Sequence, residues 1–174
     1  SQPGTRRGEP AGPPSSSGHT AADARHSTWS SYLGAADSAQ FTALRQIDPS
    51  NVSKLAVAWT FPVGKRTFMF GPLVADGLVF VLAGANDLVA LDAATGAEVW
   101  RHANPGAVGT RGLNYWRSPD GRDRRLLYIA GGALTAVDAR TGQTIATFGE
   151  SGRVDLRMGL ASTGRSIEGL TPLQ

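Results

Sequence analysis

A short pattern that occurs twice constrains this chain more than any other feature. Leu88-Val-Ala-Leu-Asp-Ala-Ala-Thr-Gly96 and Leu134-Thr-Ala-Val-Asp-Ala-Arg-Thr-Gly142 align residue for residue, 46 positions apart (134 − 88). A repeat of that length built from strands and turns points to the blades of a β-propeller. Within one copy the side chains of Leu88 to Leu91 alternate in the way a strand requires. Asp92 can accept hydrogen bonds from the turn backbone, and Gly96 can take a left-handed conformation. Residues 97–100 resume as a second strand, where Trp100 offers a flat anchor to a neighbouring hairpin or blade. The plainer reading, a hairpin in a sandwich, gives no reason for the second copy.

The rest of the chain fits around these copies. Residues 1–27 are rich in Pro, Gly, Ser, Thr and Ala without hydrophobic period, and read as a disordered tether. The remaining residues, 28–174, read as the propeller portion. Asp48-Pro49 suggests a turn or one helical turn, and residues 54–61 read as a strand whose Val57-Ala58-Trp59 echoes Glu98-Val99-Trp100. A first unit follows, with strands at 72–75, 78–82, 88–91 and 98–101, the first two joined by the hairpin signal Asp76-Gly77. A second repeats the plan at 112–117, 126–129, 134–137 and 144–148, with Phe148 near the place of the repeat tryptophan. The expected fold is all-β: an incomplete propeller of two four-stranded blades and a fringe. Propellers close with about four to eight blades, and two units would leave apolar faces open. The chain therefore reads as the N-terminal part of a longer propeller.

Composition excludes several functions. The 17 Lys and Arg against 14 Asp and Glu leave a net charge of only +3, scattered along the chain, which argues against nucleic acid. The chain has no cysteine, so disulfides and thiolate metal sites are ruled out. The most apolar stretch, residues 73–91, is interrupted by Asp76, Asn86 and Asp87, and does not read as a transmembrane segment. Residues 1–24 lack the apolar centre of a signal peptide, and the missing initiator Met suggests an upstream segment. His19, His26 and His102 are dispersed without metal-ligand spacing. Gly64-Lys65-Arg66-Thr67 lacks the first Gly of a phosphate loop, since Trp59 stands there, and no Gly-x-Ser-x-Gly elbow occurs. Asn51-Val52-Ser53 matches a glycosylation acceptor as readily by chance, and Asp92 and Asp138 read as structural turn residues.

Three stretches resemble a known family, the quinoprotein dehydrogenases that carry pyrroloquinoline quinone (PQQ) in an eight-bladed propeller. Trp29-x-x-Tyr32-x-Gly34 with Gln46 to Leu55 and Ala58-Trp59 resembles its N-terminal segment. Ala90-x-Asp92-x-x-Thr95-Gly96-x-x-x-Trp100 is similar to its tryptophan-docking repeat, of which Ala136-x-Asp138-x-x-Thr141-Gly142 is a partial copy. Arg111-Gly-Leu-Asn-Tyr-Trp116 resembles the stretch whose Arg contacts the quinone. The likeness runs from about Trp29 to Asp155 and implies the N-terminal portion of a PQQ-dependent glucose or alcohol dehydrogenase.

The resemblance makes Arg111 and Thr171 cofactor-binding residues, with a hydroxyl at Thr171, in Gly169-Leu-Thr171-Pro172, reaching the quinone. A guanidinium fork suits the carboxylates and carbonyl oxygens of the quinone and stabilises its reduced form. It implies a sugar or alcohol substrate, a quinone or cytochrome as electron acceptor, and a periplasmic location. A calcium ion is implied too, but its ligands and the catalytic base would lie beyond Gln174, so no metal or catalytic residue is assigned and residues 1–174 alone are expected to be inactive. Two departures stand out. Met69 occupies a place, three before Pro72, where the family often has Glu or Gln. The adjacent cysteines that methanol dehydrogenases place ahead of the Arg are absent, which favours the sugar and other alcohol branches. The alternative is a non-catalytic propeller of the same repeat type that serves as a protein-interaction scaffold.

Overall fold

The computed structural model describes residues 28–30, 33–34, 40–64 and 71–157. The tether expected over residues 1–27 lies outside them, as do Met69 and Thr171. The core is two four-stranded antiparallel sheets, each running in chain order. The first holds β1 (Leu73–Ala75), β2 (Leu78–Ala83), β3 (Asp87–Asp92) and β4 (Glu98–His102). The second holds β5 (Asn114–Arg117), β6 (Arg124–Ala130), β7 (Ala133–Asp138) and β8 (Arg153–Asp155).

Local chemistry accounts for the hairpins. Asp76 and Gly77 join β1 to β2 with φ of 51° and 75°. Two left-handed residues in succession give a turn whose twist matches the strands it connects. Asp92 closes the β3–β4 turn, its Oδ1 accepting from the backbone N–H of Ala94 (3.0 Å) and Thr95 (2.8 Å). Asp138 repeats this with Arg140 (2.8 Å) and Thr141 (3.0 Å). The Thr95 hydroxyl and backbone hold the Asp92 carboxyl below the usual carboxylate range. Both aspartates are turn residues, as their repetition implies.

Each face of the first sheet is covered. Phe80, Leu82, Leu88, Ala90 and Trp100 point to the second sheet, where they meet Leu113, Leu126, Tyr128, Ala130, Val137 and Ala139. Val81, Ala83, Val89 and Leu91 pack instead against Trp59, Phe61 and Val63. Burial on both faces is why β2 and β3 read as continuous apolar runs. The far face of the second sheet, with Leu127, Ile129 and Leu134, is only half-buried, and Trp116 is 43% exposed.

The sheets are wedged rather than parallel slabs. Strands β1 and β5 approach each other across the sheets, whereas the outer gap is filled by Trp100. Its indole donates to the Ala139 carbonyl at 3.1 Å. A Cβ on Gly142 would lie 2.6 Å from that ring, and Gly142 has φ of 71°. Trp59 treats the first sheet in the same way, donating to the Ala93 carbonyl at 3.1 Å over Gly96. The repeat glycine thus meets two demands, left-handed backbone and no Cβ.

Two expected strands are corrected. Residues 54–61 form no strand: Val52–Lys54 is a 3-10 helix, and residues 55–64 have no ladder partner among the described residues. Only Trp59, Phe61 and Val63 dock, with the Val63 carbonyl accepting from Gly84 N–H at 3.1 Å. The last strand of the second sheet is Arg153–Asp155, not residues 144–148. Thr144 makes a single bridge to Val137, and the chain then loops out through Gly149, Ser151 and Gly152 at φ of 56°, 52° and 87°. It rejoins β7 at Thr135↔Arg153.

At the N-terminal end, Trp29 pairs with Val74 of β1 through hydrogen bonds of 3.1 and 2.8 Å. The Ser30 carbonyl accepts from Tyr115 N–H of β5 at 2.9 Å. This short segment therefore bridges the first strand of each sheet, and the Trp29 ring lies at ordinary contact distance, 3.6 Å, from where a Cβ on Gly34 would stand.

Candidate cofactor site at the inner edge of the second sheet

The site is reached by the crossover of residues 103–110, which leaves β4 at the outer edge and returns to β5 at the inner one. Its backbone is seated on the β6–β7 hairpin. Gly109 N–H donates to Ile129 O at 2.8 Å, Gly131 N–H donates to Ala107 O at 3.0 Å, and Val108 bridges Ala130. The glycines permit this closeness: a Cβ on Gly106 would lie 3.1 Å from Gly131 Cα, and one on Gly109 would lie 3.2 Å from Ile129 Cβ. The crossover is a fitted strap, not a loose loop.

Arg111 follows directly. Its own side chain is exposed, while Gly109, Gly112 and Leu113 around it are buried. The main chain that carries the guanidinium is thus fixed and the guanidinium is free. Among the described residues Arg111 has no hydrogen-bond or ion-pair partner. Every other arginine from Arg101 to Arg157 has one. Arg101 pairs with Asp87 and Glu98, Arg122 with Asp120, Arg140 with Asp138, and Arg153 donates to Ala130 O at 2.8 Å. The bland role for Arg111, a surface ion pair, has no acid to make it with among these residues. Thr171, the second expected contact, lies outside the described residues, so the structure does not bring the two together.

The opposite end of β5 is held by a polar cluster that the sequence did not announce. The Asp76 carboxylate, at the tip of the β1–β2 hairpin, accepts from the Tyr115 hydroxyl and pairs with Arg124 at 2.9 Å; Arg117 stands at 3.8 Å. Burial, then the Asp76 hydrogen bond, pushes the Tyr115 hydroxyl up to about 12. The sequence explains Asp76 by its turn alone, and nothing in it links that acid to Tyr115 and Arg124. On the outer face Arg125 lies over the Trp116 ring, 5.3 Å from its centroid, and pairs with Asp123. A recess beside Gly131, Gly149 and Arg157 has its cations already engaged, since Arg157 pairs with Asp155 at 2.7 Å. No group of three or more His, Cys, Asp or Glu residues could hold a metal among the described residues.

Comparison with known proteins gives this geometry its context. Residues 29–172 match the family described as PQQ, glucose/ethanol/alcohol dehydrogenase, beta-propeller domain. The glycerol dehydrogenase large subunit of Gluconobacter thailandicus is 30% identical over 188 aligned residues, covering 95% of this chain and 25% of that protein. The quinohemoprotein alcohol dehydrogenase ADH IIB of Pseudomonas putida is 32% identical over 117 residues, 61% of this chain and 16% of that protein. The crystal structure of quinohemoprotein alcohol dehydrogenase from Comamonas testosteroni superposes with a TM-score of 0.63 at 24% identity, over 80% of this chain and 21% of that one. The chain spans a quarter or less of the length of these relatives. The two wedged sheets are blades of a β-propeller, and the chain belongs to the PQQ glucose, ethanol and alcohol dehydrogenase β-propeller family.

Proposed function

We propose that the chain is the N-terminal part of a PQQ-dependent dehydrogenase that oxidises a hydroxyl of a sugar or alcohol. The observation that carries this reading is Arg111, an unpaired guanidinium among the described residues on a backbone fixed by buried neighbours. Its donor set fits the cofactor: a planar fork of N–H groups matches carboxylates and paired carbonyl oxygens. The bound quinone supplies two-electron oxidising power that no side chain has. Arg111 holds and orients those oxygens, and its positive charge favours the form that carries more negative charge. Thr171 is assigned a second contact through its hydroxyl. Calcium and the proton acceptor are assigned to residues beyond Gln174, and residues 1–174 alone are assigned no turnover.

The range of substrates follows the relatives, which include a glycerol dehydrogenase large subunit and, in Gluconobacter oxydans, a quinoprotein glucose dehydrogenase. A periplasmic location and a quinone or cytochrome acceptor belong to the same reading. No described helix is long and apolar enough to cross a membrane. The test is Arg111→Ala in the full-length protein, with PQQ binding measured by titration. Loss of charge-assisted hydrogen bonds of about 1.5–3 kcal/mol corresponds to binding weakened about ten- to a hundredfold. Unchanged quinone affinity and turnover would remove Arg111 from the site, whereas a full-length protein that neither binds PQQ nor turns over would favour the non-catalytic scaffold.

A further inference from the structure

The strap that delivers Arg111 is pinned by one side chain. Asn104 donates through Nδ2 to the Asn86 carbonyl at 2.8 Å, in the β2–β3 turn of the first blade. Its Oδ1 accepts from the Tyr128 hydroxyl at 2.8 Å, on β6 of the second. A single amide therefore ties the start of the crossover to both blades. Tyr128 is 2% exposed and stands between the buried Leu126 and Ala130 on the same face of β6. A buried phenol must find an acceptor, and this one finds it in the strap. Burial pushes the Tyr128 hydroxyl up to about 12, so it remains a neutral donor at working pH.

We infer that Asn104 and Tyr128 are positioning residues for the quinone-binding guanidinium, setting where Arg111 stands at the inner edge. The inference rests on the assignment of Arg111 to the quinone. Packing and backbone bonds fix the middle of the strap at Ala107, Val108 and Gly109. Its first residues lie between two blades, and Asn104 is the side chain that relates them. Without it the strap, together with the β6–β7 hairpin to which it is bonded, can shift relative to the first blade. Arg111 is two residues beyond Gly109, so a shift of the strap is passed directly to the guanidinium. Pre-organisation of this kind matters to binding because a misplaced fork loses its bidentate geometry.

The test uses the full-length protein and a double-mutant cycle. Tyr128→Phe keeps the ring and removes the hydroxyl; Asn104→Ala removes the pin. Each is made alone and with Arg111→Ala, and PQQ affinity, the midpoint potential of the bound quinone and unfolding are measured. With Arg111 present, each single variant should weaken PQQ binding about three- to tenfold, the equivalent of one hydrogen bond, and lower the potential. With Arg111→Ala already made, neither should change affinity or potential further, although both should still lower stability. A purely structural role predicts the same change in both backgrounds, or none in either, and would overturn the inference. If Arg111→Ala itself leaves PQQ affinity unchanged, the underlying assignment of Arg111 fails, and the inference with it.

Discussion

Gly142→Ala is the substitution that most directly probes how the blades are joined. Gly142 has φ of 71°, and an added Cβ would stand 2.6 Å from Cε3 of Trp100. The left-handed backbone alone costs a non-glycine residue about 1–2 kcal/mol. The ring cannot tolerate a carbon at that distance and must move. It then forfeits its hydrogen bond to Ala139 O, about 1 kcal/mol, and strains its packing against Phe80 by about 1–3 kcal/mol. The expected loss is about 3–6 kcal/mol, comparable to truncating the tryptophan itself. Gly77→Ala is the matched control. Its φ of 75° carries the same backbone strain, but nothing lies within 4 Å of the added carbon. Its expected loss is therefore only about 1–2 kcal/mol. Urea unfolding of both variants gives the difference. Equal losses at the two glycines would mean that tryptophan docking contributes nothing beyond turn geometry, and the reasoning would be refuted.

Two further outcomes follow from the polar groups. Asp76→Asn keeps a residue that accepts the left-handed φ of 51° but weakens the link to Tyr115 and Arg124. Stability should fall by about 1–2 kcal/mol, most of it absent in a Tyr115→Phe background. The Tyr115 titration should move down from about 12 while staying above the ordinary value of 10.0, because burial is the larger cause; unaltered stability and titration would exclude the clamp. In acid, Asp92 and Asp155 both have folded pKa values below the ordinary 3.8, Asp155 near 2 through its pairing with Arg157. Their stabilisation is present above about pH 4 and is lost as pH falls toward 2. Unfolding midpoints measured from pH 5 to 2 should decline across that window, and less so in Asp155→Asn.

What the sequence disclosed depended on whether an interaction was local or repeated. The docking turn was legible because Asp92, Thr95 and Gly96 act within a few residues, and because a second copy showed the pattern to be selected for geometry. The Asp76-Gly77 hairpin was legible for the same local reason. The strand at residues 54–61 was misread because alternation reports burial, and Trp59, Phe61 and Val63 are indeed packed, yet a strand also needs a ladder. Residues 144–148 were misread because the repeat offset predicted continuous pairing, whereas Gly149 and Gly152 divert the chain. Arg111 was singled out only through a family resemblance, and its role as a quinone ligand is a proposal. The Asp76 cluster and the Asn104 pin join residues 39 and 24 positions apart, which no periodicity encodes.

These interactions divide the blade junction into two halves with different chemistry. The outer half is tryptophan over glycine, large and apolar, and tolerant of no added carbon. The inner half is a set of directional polar contacts: Trp29 and Ser30 bridging β1 and β5, Asp76 holding one end of β5, and Asn104 holding the strap that leads into the other. Apolar burial fixes distance but leaves angle loosely specified, whereas hydrogen bonds fix angle while adding little net stability. On the proposed assignment, the Arg111 guanidinium presents a planar fork to the quinone and needs angle. Substitutions in the outer half should therefore act first on stability, and those in the inner half first on the direction in which Arg111 points.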